Sequence, residues 1–328
     1  MRVLVTGGAG YIGSITVRML LDAGHDVLVL DSLERGHKAS VDSRAVLVKA
    51  SVADAEVLDS ILPGIEVVLH IAGYIEVAES QEKPELYYRK NLAEPSMMLD
   101  RMVTTGVRNL VFSSTAAVYG QPEVIPIPES ALTAPVNVYG ASKLAFERLI
   151  AVAEQAGKID AVRLRYFNVA GAWPDGSLGE AHDPETHIVP RVLKAAAGGD
   201  GFVVFGTDYP TPDGTCVRDY IHVMDLARAH LLAVEHLAGG GKGAICNLGS
   251  ERGYSNLEVV GACEEATGAA IDLEFGPRRP GDPARLIAQI DRAREVLGWK
   301  PELSLGEMVA DAWRWHGSHP HGYGSGAS

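Results

Sequence analysis

A glycine-rich segment near the start of the chain constrains the fold more than any other feature. The segment Thr6 to Gly13 follows an apolar stretch, Val3 to Val5, and precedes a stretch with helical periodicity. A strand, a glycine turn and a helix in this order let the backbone approach a pyrophosphate, which N–H groups at the helix start can bind. We therefore predict a dinucleotide-binding loop that contacts the cofactor through Gly7, Gly10, Tyr11, Ile12 and Gly13.

An acidic residue follows the second apolar stretch, Val27 to Leu30. Asp31 is expected at the end of that strand, where a carboxylate accepts the ribose hydroxyls of NAD and repels the 2′-phosphate of NADP. Arg35 lies close enough in sequence to meet such a phosphate, but the glycine loop itself contains no arginine. The pattern favours NAD over NADP.

Short apolar runs alternate with helical stretches over the first half of the chain. This alternation predicts an α/β fold, a Rossmann-type doubly wound parallel sheet with a smaller C-terminal α/β substrate-binding domain. The expected strands are 3–5, 27–30, 46–48, 67–71, 110–113 and 162–166, and the expected helices are 11–23, 94–105, 141–155 and 256–267.

The domain boundaries follow from where this alternation weakens. Residues 1–167 are predicted to form the NAD-binding domain, and 217–240 to return to it. Residues 168–216 and 241–316 are assigned to the substrate domain, and 317–328, rich in glycine, serine and histidine, to a flexible tail.

Composition restricts the partners and the compartment. The 29 basic and 42 acidic residues give a formal net charge of −13, which disfavours nucleic acid and anionic membrane surfaces. The 3 cysteines show no CxxC spacing, and neither a signal peptide nor an apolar run long enough for a membrane helix is apparent. These features predict a cytoplasmic protein.

A tyrosine and a lysine are spaced for catalysis. Tyr139 and Lys143 are four positions apart and therefore share one helix face. The fifth predicted strand is followed by Ser114 and Thr115, at the sheet edge where ligands bind. A lysine ammonium and a positive nicotinamide both favour the phenolate, so we expect the pKa of Tyr139 to be lowered toward neutrality.

Four longer segments carry a family resemblance. The glycine spacing is similar to that of extended short-chain dehydrogenases/reductases. Residues 112–120, 165–171, 213–223 and 277–282 resemble the corresponding segments of the UDP-galactose 4-epimerase family, and the resemblance covers nearly the whole chain. It implies that Thr115 binds the sugar 4-hydroxyl, that Tyr139 removes its proton, and that a hydride passes from C4 to tightly bound NAD and returns to the other face of a 4-keto sugar.

The resemblance also implies the binding residues. Further cofactor contacts are expected from Ser32, Ser51, Val52, Ile71, Ala72, Gly73, Asn91, Ser113, Tyr139, Lys143 and Tyr166. The UDP-sugar is expected to contact Thr115, Tyr139, Asn168, His187, Ile188, Arg218, Tyr220, Arg279 and Asp282. A homodimer formed through two helices of each subunit is also implied.

Some positions depart from the family pattern. Ser51 replaces an aspartate that reaches the adenine, and Ile75 and Lys90 also differ. Leu286 occupies a position that controls bulk at the sugar C2, where leucine is intermediate between the small residues that admit N-acetyl groups and the tyrosine that excludes them. Epimerisation of UDP-glucose and UDP-galactose is therefore expected, with an N-acetylhexosamine or uronic acid UDP-sugar as the alternative.

Two other functions and a metal site are less favoured. A nucleotide-sugar 4,6-dehydratase carries Asp-Glu after the strand-end threonine, where this chain has Ala116-Ala117. A non-catalytic NAD-binding protein of this fold typically loses the Tyr/Lys pair. The group His182, Asp183, Glu185 and His187 lacks the HExxH spacing, so we assign it to a polar loop and predict no metal.

Overall fold

A seven-stranded parallel sheet forms the centre of the structure, a computed structural model that describes residues 1–279 and 282–324. The strands are β1 (Arg2–Thr6), β2 (Asp26–Asp31), β3 (Val46–Lys49), β4 (Val67–His70), β5 (Asn109–Thr115), β6 (Asp160–Tyr166), β7 (Asn168–Ala170), β8 (Phe202–Phe205), β9 (Val217–His222), β10 (Ala244–Leu248), β11 (Gly253–Ser255), β12 (Leu273–Gly276) and β13 (Arg285–Leu286). The order in the large sheet is β10-β6-β5-β4-β1-β2-β3.

Helices connect these strands. They are α1 (Tyr11–Asp22), α2 (Ala55–Ile61), α3 (Val77–Glu82), α4 (Pro84–Tyr88), α5 (Glu94–Thr105), α6 (Val138–Gln155), α7 (Ile188–Ala196), α8 (Val223–Ala238), α9 (Asn256–Thr267), α10 (Asp291–Leu297) and α11 (Leu305–Ser318). A π-helical turn, Arg89–Ala93, joins α4 to α5.

The strand order determines where a ligand can bind. The chain moves outward from β1 through β2 to β3, and then returns to the other side of β1 with β4. Ligands of open parallel sheets bind beyond the carboxyl ends of the strands at such a reversal point. The glycine loop, which follows β1, lies at this point.

Alternating residues of each strand fill two cores on opposite faces of the sheet. Val3 and Val5 pack on one face with residues of α1 and α8, whereas Leu4 packs on the other with residues of α5 and α6. Each fully buried side chain of this size stabilises the fold by about 1.5–3 kcal/mol. Burial on both faces explains why these strands are continuously apolar.

The predicted strands and helices of the first half are confirmed, with one notable shift. The strand ends differ from the prediction by at most two residues. Helix α6 begins at Val138 rather than at 141, because the Asn137 side chain caps it by accepting a hydrogen bond from the Gly140 N–H at 2.7 Å. Tyr139 therefore lies inside the first turn.

The second half of the chain forms a smaller α/β unit. Strand β9 pairs with β7, β11 and β13, while β8 pairs with β12. Helices α7, α9 and α11 contribute to a third apolar core that packs against these strands.

The segment that returns to the large sheet differs from the predicted 217–240. Strand β9 belongs to the smaller sheet, where it already has three partners, and α8 packs against α1. Strand β10 lies beyond residue 240 and pairs with β6, from Ala244 opposite Val162 to Leu248 opposite Tyr166. The returning segment is therefore α8 with β10. The other domain boundaries remain predictions.

The predicted flexible tail is wrong for residues 317–324. Helix α11 continues to Ser318, and the Tyr323 ring centroid lies 4.7 Å from that of Trp315. The Tyr323 hydroxyl donates to the Gly179 carbonyl at 3.2 Å and accepts from its N–H at 3.1 Å. These contacts anchor the segment. Residues 325–328 lie outside the described part of the chain.

The helices were also compared with the length and apolar character of membrane-spanning helices. Within residues 1–279 and 282–324, none of the helices has the combined length and apolar character needed to cross a membrane.

Candidate active site

The glycine loop forms a cradle that side chains would fill. Gly7 has φ +74°, and a Cβ there would lie 2.5 Å from the Ala72 nitrogen. A Cβ at Gly13 would lie 2.0 Å from the Gly7 carbonyl oxygen. Gly10 precedes α1 and has no side chain to cap it, so the first N–H groups, of Tyr11 and Ile12, face outward without intrahelical partners. The cradle fits a dinucleotide pyrophosphate.

Asp31 is held beside this cradle. Its carboxylate accepts the N–H of Ala9 at 3.0 Å and the N–H of Leu33 at 2.8 Å, and Ser32 follows it. Each carboxylate oxygen retains acceptor capacity, which suits ribose hydroxyls. Arg35 is occupied elsewhere, since it pairs with Glu79 at 2.9 Å and lies over the Tyr74 ring. This arrangement agrees with the preference for NAD.

The predicted cofactor residues after β4 lie beside the loop. The N–H groups of Ile71 and Ala72 donate to the Thr6 carbonyl at 3.1 and 3.0 Å, which fixes the segment against β1. Asn91 accepts from the Tyr74 N–H at 2.8 Å and donates to the Ser142 hydroxyl at 3.1 Å. Asn91 thus links this segment to α6. A Cβ at Gly73 would lie 3.0 Å from Asn91 Oδ1 and from Lys143 Nζ.

The positions that depart from the family pattern are mostly engaged with protein groups. Ser51 donates to Glu94 and accepts from the Ala53 N–H, both at 3.1 Å. Lys90 pairs with Glu34 at 2.9 Å and with Glu94 at 3.1 Å. Ile75 is 37% exposed, and Val52 is buried. Contacts of Ser51 and Val52 with adenine remain predictions.

The three predicted catalytic side chains come together at the end of β5. Thr115 is the last residue of that strand, and its hydroxyl interacts with the Tyr139 phenol. Lys143 lies one turn along α6 from Tyr139 and donates to the Ser113 carbonyl at 3.1 Å. All three side chains are buried, so few water molecules compete for their polar atoms.

Burial shifts the two titratable groups in opposite directions. It raises the pKa of Tyr139 to about 12, a shift that the contact with Thr115 reduces. It lowers the pKa of Lys143 to about 8, although the Glu147 carboxylate acts in the opposite direction. The protein alone therefore does not show the predicted lowering of the Tyr139 pKa. Burial destabilises the phenolate more strongly than the hydrogen bond from Thr115 stabilises it.

A buried polar network behind these residues escaped the sequence analysis. Glu147 accepts two hydrogen bonds from the Arg165 guanidinium, at 2.9 and 2.5 Å, and one from the Ser114 hydroxyl at 2.5 Å. Arg165 also donates to the Tyr119 hydroxyl at 3.0 Å. One signal was available, since Glu147 is four positions after Lys143 on the same helix face.

Two of the predicted cofactor residues, Ser113 and Tyr166, lie beside the catalytic side chains. The Ser113 hydroxyl is hydrogen-bonded to His230 Nε2 at 2.8 Å. Tyr166 ends β6 beside Ser113, and burial raises the pKa of its phenol, with the neighbouring Tyr139 adding to the shift. Both residues border the space next to Tyr139.

The predicted substrate residues lie on the smaller unit. Asn168 on β7 is in register with Tyr220 on β9, and His187 and Ile188 begin α7. Arg218 and Asp282, predicted to meet phosphate and ribose separately, form an ion pair of 2.8 Å.

A cavity of about 460 Å³ is lined in part by Asp282, Tyr209 and Arg278. The Arg279 guanidinium lies 4.3 Å from the Phe205 ring centroid. Positions 280 and 281, which belong to the predicted substrate motif, lie outside the described residues. Contacts between these side chains and a nucleotide remain predictions.

The fold and the site together define a class of protein. A parallel sheet with a glycine cradle, an acidic residue after its second strand and a buried Tyr–Lys pair on one helix is the arrangement of a dinucleotide-dependent enzyme of the short-chain dehydrogenase/reductase class. The profile of the NAD dependent epimerase/dehydratase family matches residues 3–249. The chain belongs to this family.

Individual relatives cover almost the whole chain. A UDP-glucose 4-epimerase from Lacticaseibacillus casei is 48% identical over 328 residues, 99% of each protein. The crystal structure of UDP-glucose 4-epimerase from Brucella ovis in complex with NAD matches with a TM-score of 0.93 and 42% identity, covering 96% of this chain and 98% of that one. The crystal structure of UDP-glucose 4-epimerase from Bifidobacterium longum in complex with NAD⁺ and UDP matches with a TM-score of 0.92 and 38% identity. The match covers 98% of this chain and 100% of that one.

Proposed function

We propose that the protein is a UDP-glucose 4-epimerase that interconverts UDP-galactose and UDP-glucose with retained NAD. The observation that carries this proposal is the convergence of Thr115, Tyr139 and Lys143 at the carboxyl edge of the sheet, next to the glycine cradle. Similarity to UDP-glucose 4-epimerases over 99% of the chain supports the choice of substrate.

The cofactor contacts come from the sheet edge. The N–H groups at the start of α1 would hold the pyrophosphate, Asp31 the adenosine ribose, and Lys143 the nicotinamide ribose. When bound, NAD supplies an acceptor for the hydride that leaves the sugar C4 and a donor for its return. The buried position of Lys143 and its bond to the Ser113 carbonyl orient the ammonium toward this site.

Proton transfer is assigned to Tyr139. Thr115 would orient the sugar 4-hydroxyl so that the phenol oxygen removes its proton and later returns it. A lysine ammonium stabilises a nearby phenolate, so Lys143 would oppose the raised pKa that burial imposes on Tyr139. The same two residues therefore serve both directions of the reaction.

The nucleotide diphosphate would be held by arginines. Arg218 and Arg279 offer planar guanidinium groups that bind phosphate oxygens in pairs, and Asp282 would accept the ribose hydroxyls. Arg218 is almost fully buried, and its ion pair with Asp282 holds it in place. Its guanidinium group is therefore oriented before the UDP-sugar binds. These arginines bind an anion despite the net charge of −13.

Dehydration and a purely structural role have less support. Elimination of water after oxidation at C4 needs an acid and a base, yet Thr115 is followed by Ala116 and Ala117 in a short 3₁₀ turn. A non-catalytic NAD-binding protein would have no use for a buried Tyr–Lys pair, because burying the ammonium is unfavourable.

The range of sugars depends on Leu286. This side chain is half-buried on β13, opposite Arg218 in the strand register. We infer that it limits bulk at the sugar C2, so that UDP-galactose is preferred to UDP-N-acetylgalactosamine.

Assembly and location complete the proposal. We expect a homodimer in which α5 and α6 of each subunit pair, since Met97 and Val152 on these helices are 48% and 61% exposed. The cysteine content continues to favour the cytoplasm.

The direct test is turnover without added cofactor. Purified protein incubated with UDP-galactose is expected to form UDP-glucose, and the same protein is expected to turn over UDP-N-acetylgalactosamine more slowly. Turnover of both at equal rates would contradict the role of Leu286. Absence of turnover with both, unchanged by added NAD, would contradict the proposed activity.

A further inference from the structure

Two histidines and two glutamates converge in the loop that leads into α7. Glu180, His182, Glu185 and His187 each offer one ligand atom, and these atoms all lie within 4.8 Å of one another. The spacing of these residues is not that of a metal-binding helix and predicts only a polar loop. The four ligand atoms come together because the loop folds back on itself, whereas in a metal-binding helix the regular spacing of residues brings them together.

The distances match a small cation. His182 Nδ1 lies 3.0 Å from Glu180 Oε1 and 3.9 Å from Glu185 Oε2, while His187 Nδ1 lies 3.8 Å from Glu185 Oε1. Ligands about 2.0–2.1 Å from a tetrahedral Zn²⁺ are separated by about 3.4 Å. These three separations bracket this value, whereas His187 Nδ1 and Glu180 Oε1 are in direct contact, so His187 would move away from Glu180 to admit the ion.

The polar atoms of the cluster are incompletely satisfied by one another. Within the described part of the chain, buried His182 Nδ1 has no hydrogen-bond partner, although it lies 3.0 Å from a Glu180 carboxylate oxygen. His187 Nδ1 contacts the same Glu180 oxygen. Glu180 itself is 3% exposed. A cation between these atoms would satisfy both imidazole nitrogens and both carboxylates at once.

Surrounding groups hold the ligands in position. The Trp315 indole N–H donates to the Glu180 carbonyl at 2.9 Å, and His37 Nε2 is hydrogen-bonded to the Ala181 carbonyl at 2.8 Å. The Thr186 hydroxyl donates to Glu76 at 2.7 Å. Backbone on both sides of the cluster is thus fixed, as in metal sites whose outer groups orient the ligands.

The donor set selects the metal. Two imidazoles and two carboxylates suit Zn²⁺, whereas Mg²⁺ and Ca²⁺ favour oxygen ligands alone. We propose that Glu180, His182, Glu185 and His187 bind one Zn²⁺ per chain, closing the loop beside Tyr11 of the glycine cradle. The His182 ring centroid lies 6.3 Å from that of Tyr11, so the site is next to the cofactor cradle without using its N–H donors.

The test is metal binding by the full-length protein, which does not depend on epimerase activity. Protein treated with a chelator and dialysed is titrated with Zn²⁺ by calorimetry, and with Co²⁺ by visible absorption. We expect one ion per chain and the intense visible bands of tetrahedral Co²⁺. Loss of an outer-shell group costs about 10–100-fold in affinity, so His182→Ala and Glu185→Gln are expected to cost at least about 100-fold.

The control is a histidine outside the cluster. His321 is exposed near the chain end, and His321→Ala is expected to leave stoichiometry and affinity unchanged. Circular dichroism and NAD content of each variant establish that it is folded. Absence of stoichiometric Zn²⁺ binding, unchanged affinity in both cluster variants, or loss of binding in His321→Ala would each overturn the site.

Discussion

Glu147 and Arg165 form an ion pair with 2.5 Å between Oε2 and Nη2, in which each side chain is only 4% exposed. The pair joins α6, which carries Tyr139 and Lys143, to β6. Through Ser114 it also holds the strand that ends at Thr115. We infer that this pair positions the catalytic side chains without contacting the substrate.

Breaking the ion pair is expected to destabilise the fold. Glu147→Gln leaves the Arg165 guanidinium buried without its countercharge, which typically costs about 3–5 kcal/mol. The matched control is Glu154→Gln on the same helix, because its pair with Arg163 is more exposed, at 19% and 10%. Urea unfolding measures both. Equal losses of unfolding free energy would contradict the special role of the Glu147 pair.

The pH dependence of turnover is expected to follow Lys143. Its pKa of about 8 lies below its ordinary 10.5, so the ammonium is present below pH 8 and is lost as the pH rises through that value. Turnover that needs the ammonium therefore declines on the alkaline side.

The Glu147 carboxylate raises the pKa of Lys143, so Glu147→Gln is expected to move this decline to lower pH. Glu154→Gln should leave it in place. Profiles of kcat/KM against pH for the three proteins provide the measurement, and coincident alkaline limbs would contradict the assignment.

Removing the phenol hydroxyl is expected to separate catalysis from cofactor binding. Tyr139→Phe should lower kcat by about 10²–10⁴-fold, the usual contribution of a positioned acid–base group, and leave the content of bound NAD unchanged. Tyr88→Phe is the control, since Tyr88 is 41% exposed on α4. Turnover of Tyr139→Phe within a few-fold of the unmodified protein would exclude Tyr139 as the acid–base group.

Adjacent arginines are expected to differ in their effect on UDP-sugar binding. Arg279→Ala should weaken UDP binding by about 10–100-fold, as loss of a charged hydrogen bond of about 1.5–3 kcal/mol implies, without releasing NAD. Arg278→Ala is the matched comparison, because Arg278 lines the cavity beside Asp282 but already pairs with Asp208 and lies over the Tyr209 ring, so its loss should weaken UDP binding less. Titration with UDP distinguishes them. Parallel losses of UDP and NAD in Arg279→Ala would indicate misfolding instead.

Local patterns accounted for the features that depend on short spacing. The glycine loop, Asp31 and the pair Tyr139–Lys143 were predicted because a turn, a strand end and a helix face are each determined by neighbouring residues. Two helix ends follow the same local rule, since Gly24 and Gly106, just after α1 and α5, adopt a left-handed φ of +83° that glycine favours.

Features that depend on long-range packing could not be predicted in this way. The Glu147–Arg165 pair joins a helix to a strand, and β10 joins β6 across a large sequence separation. The Arg218–Asp282 pair and the Glu180–His187 cluster depend on loop conformations without periodicity. The raised pKa of Tyr139 depends on burial, which the spacing of residues does not reveal.

The central claim is that the hydrogen removed from C4 returns to C4 of the same sugar. The most direct test uses UDP-galactose deuterated at C4, with no added cofactor and in ordinary water. Mass spectrometry and NMR of the product should show UDP-glucose with deuterium retained at C4, and the reaction in D₂O with unlabelled substrate should introduce none. Loss of the label, or uptake of solvent deuterium at C4, would contradict the account.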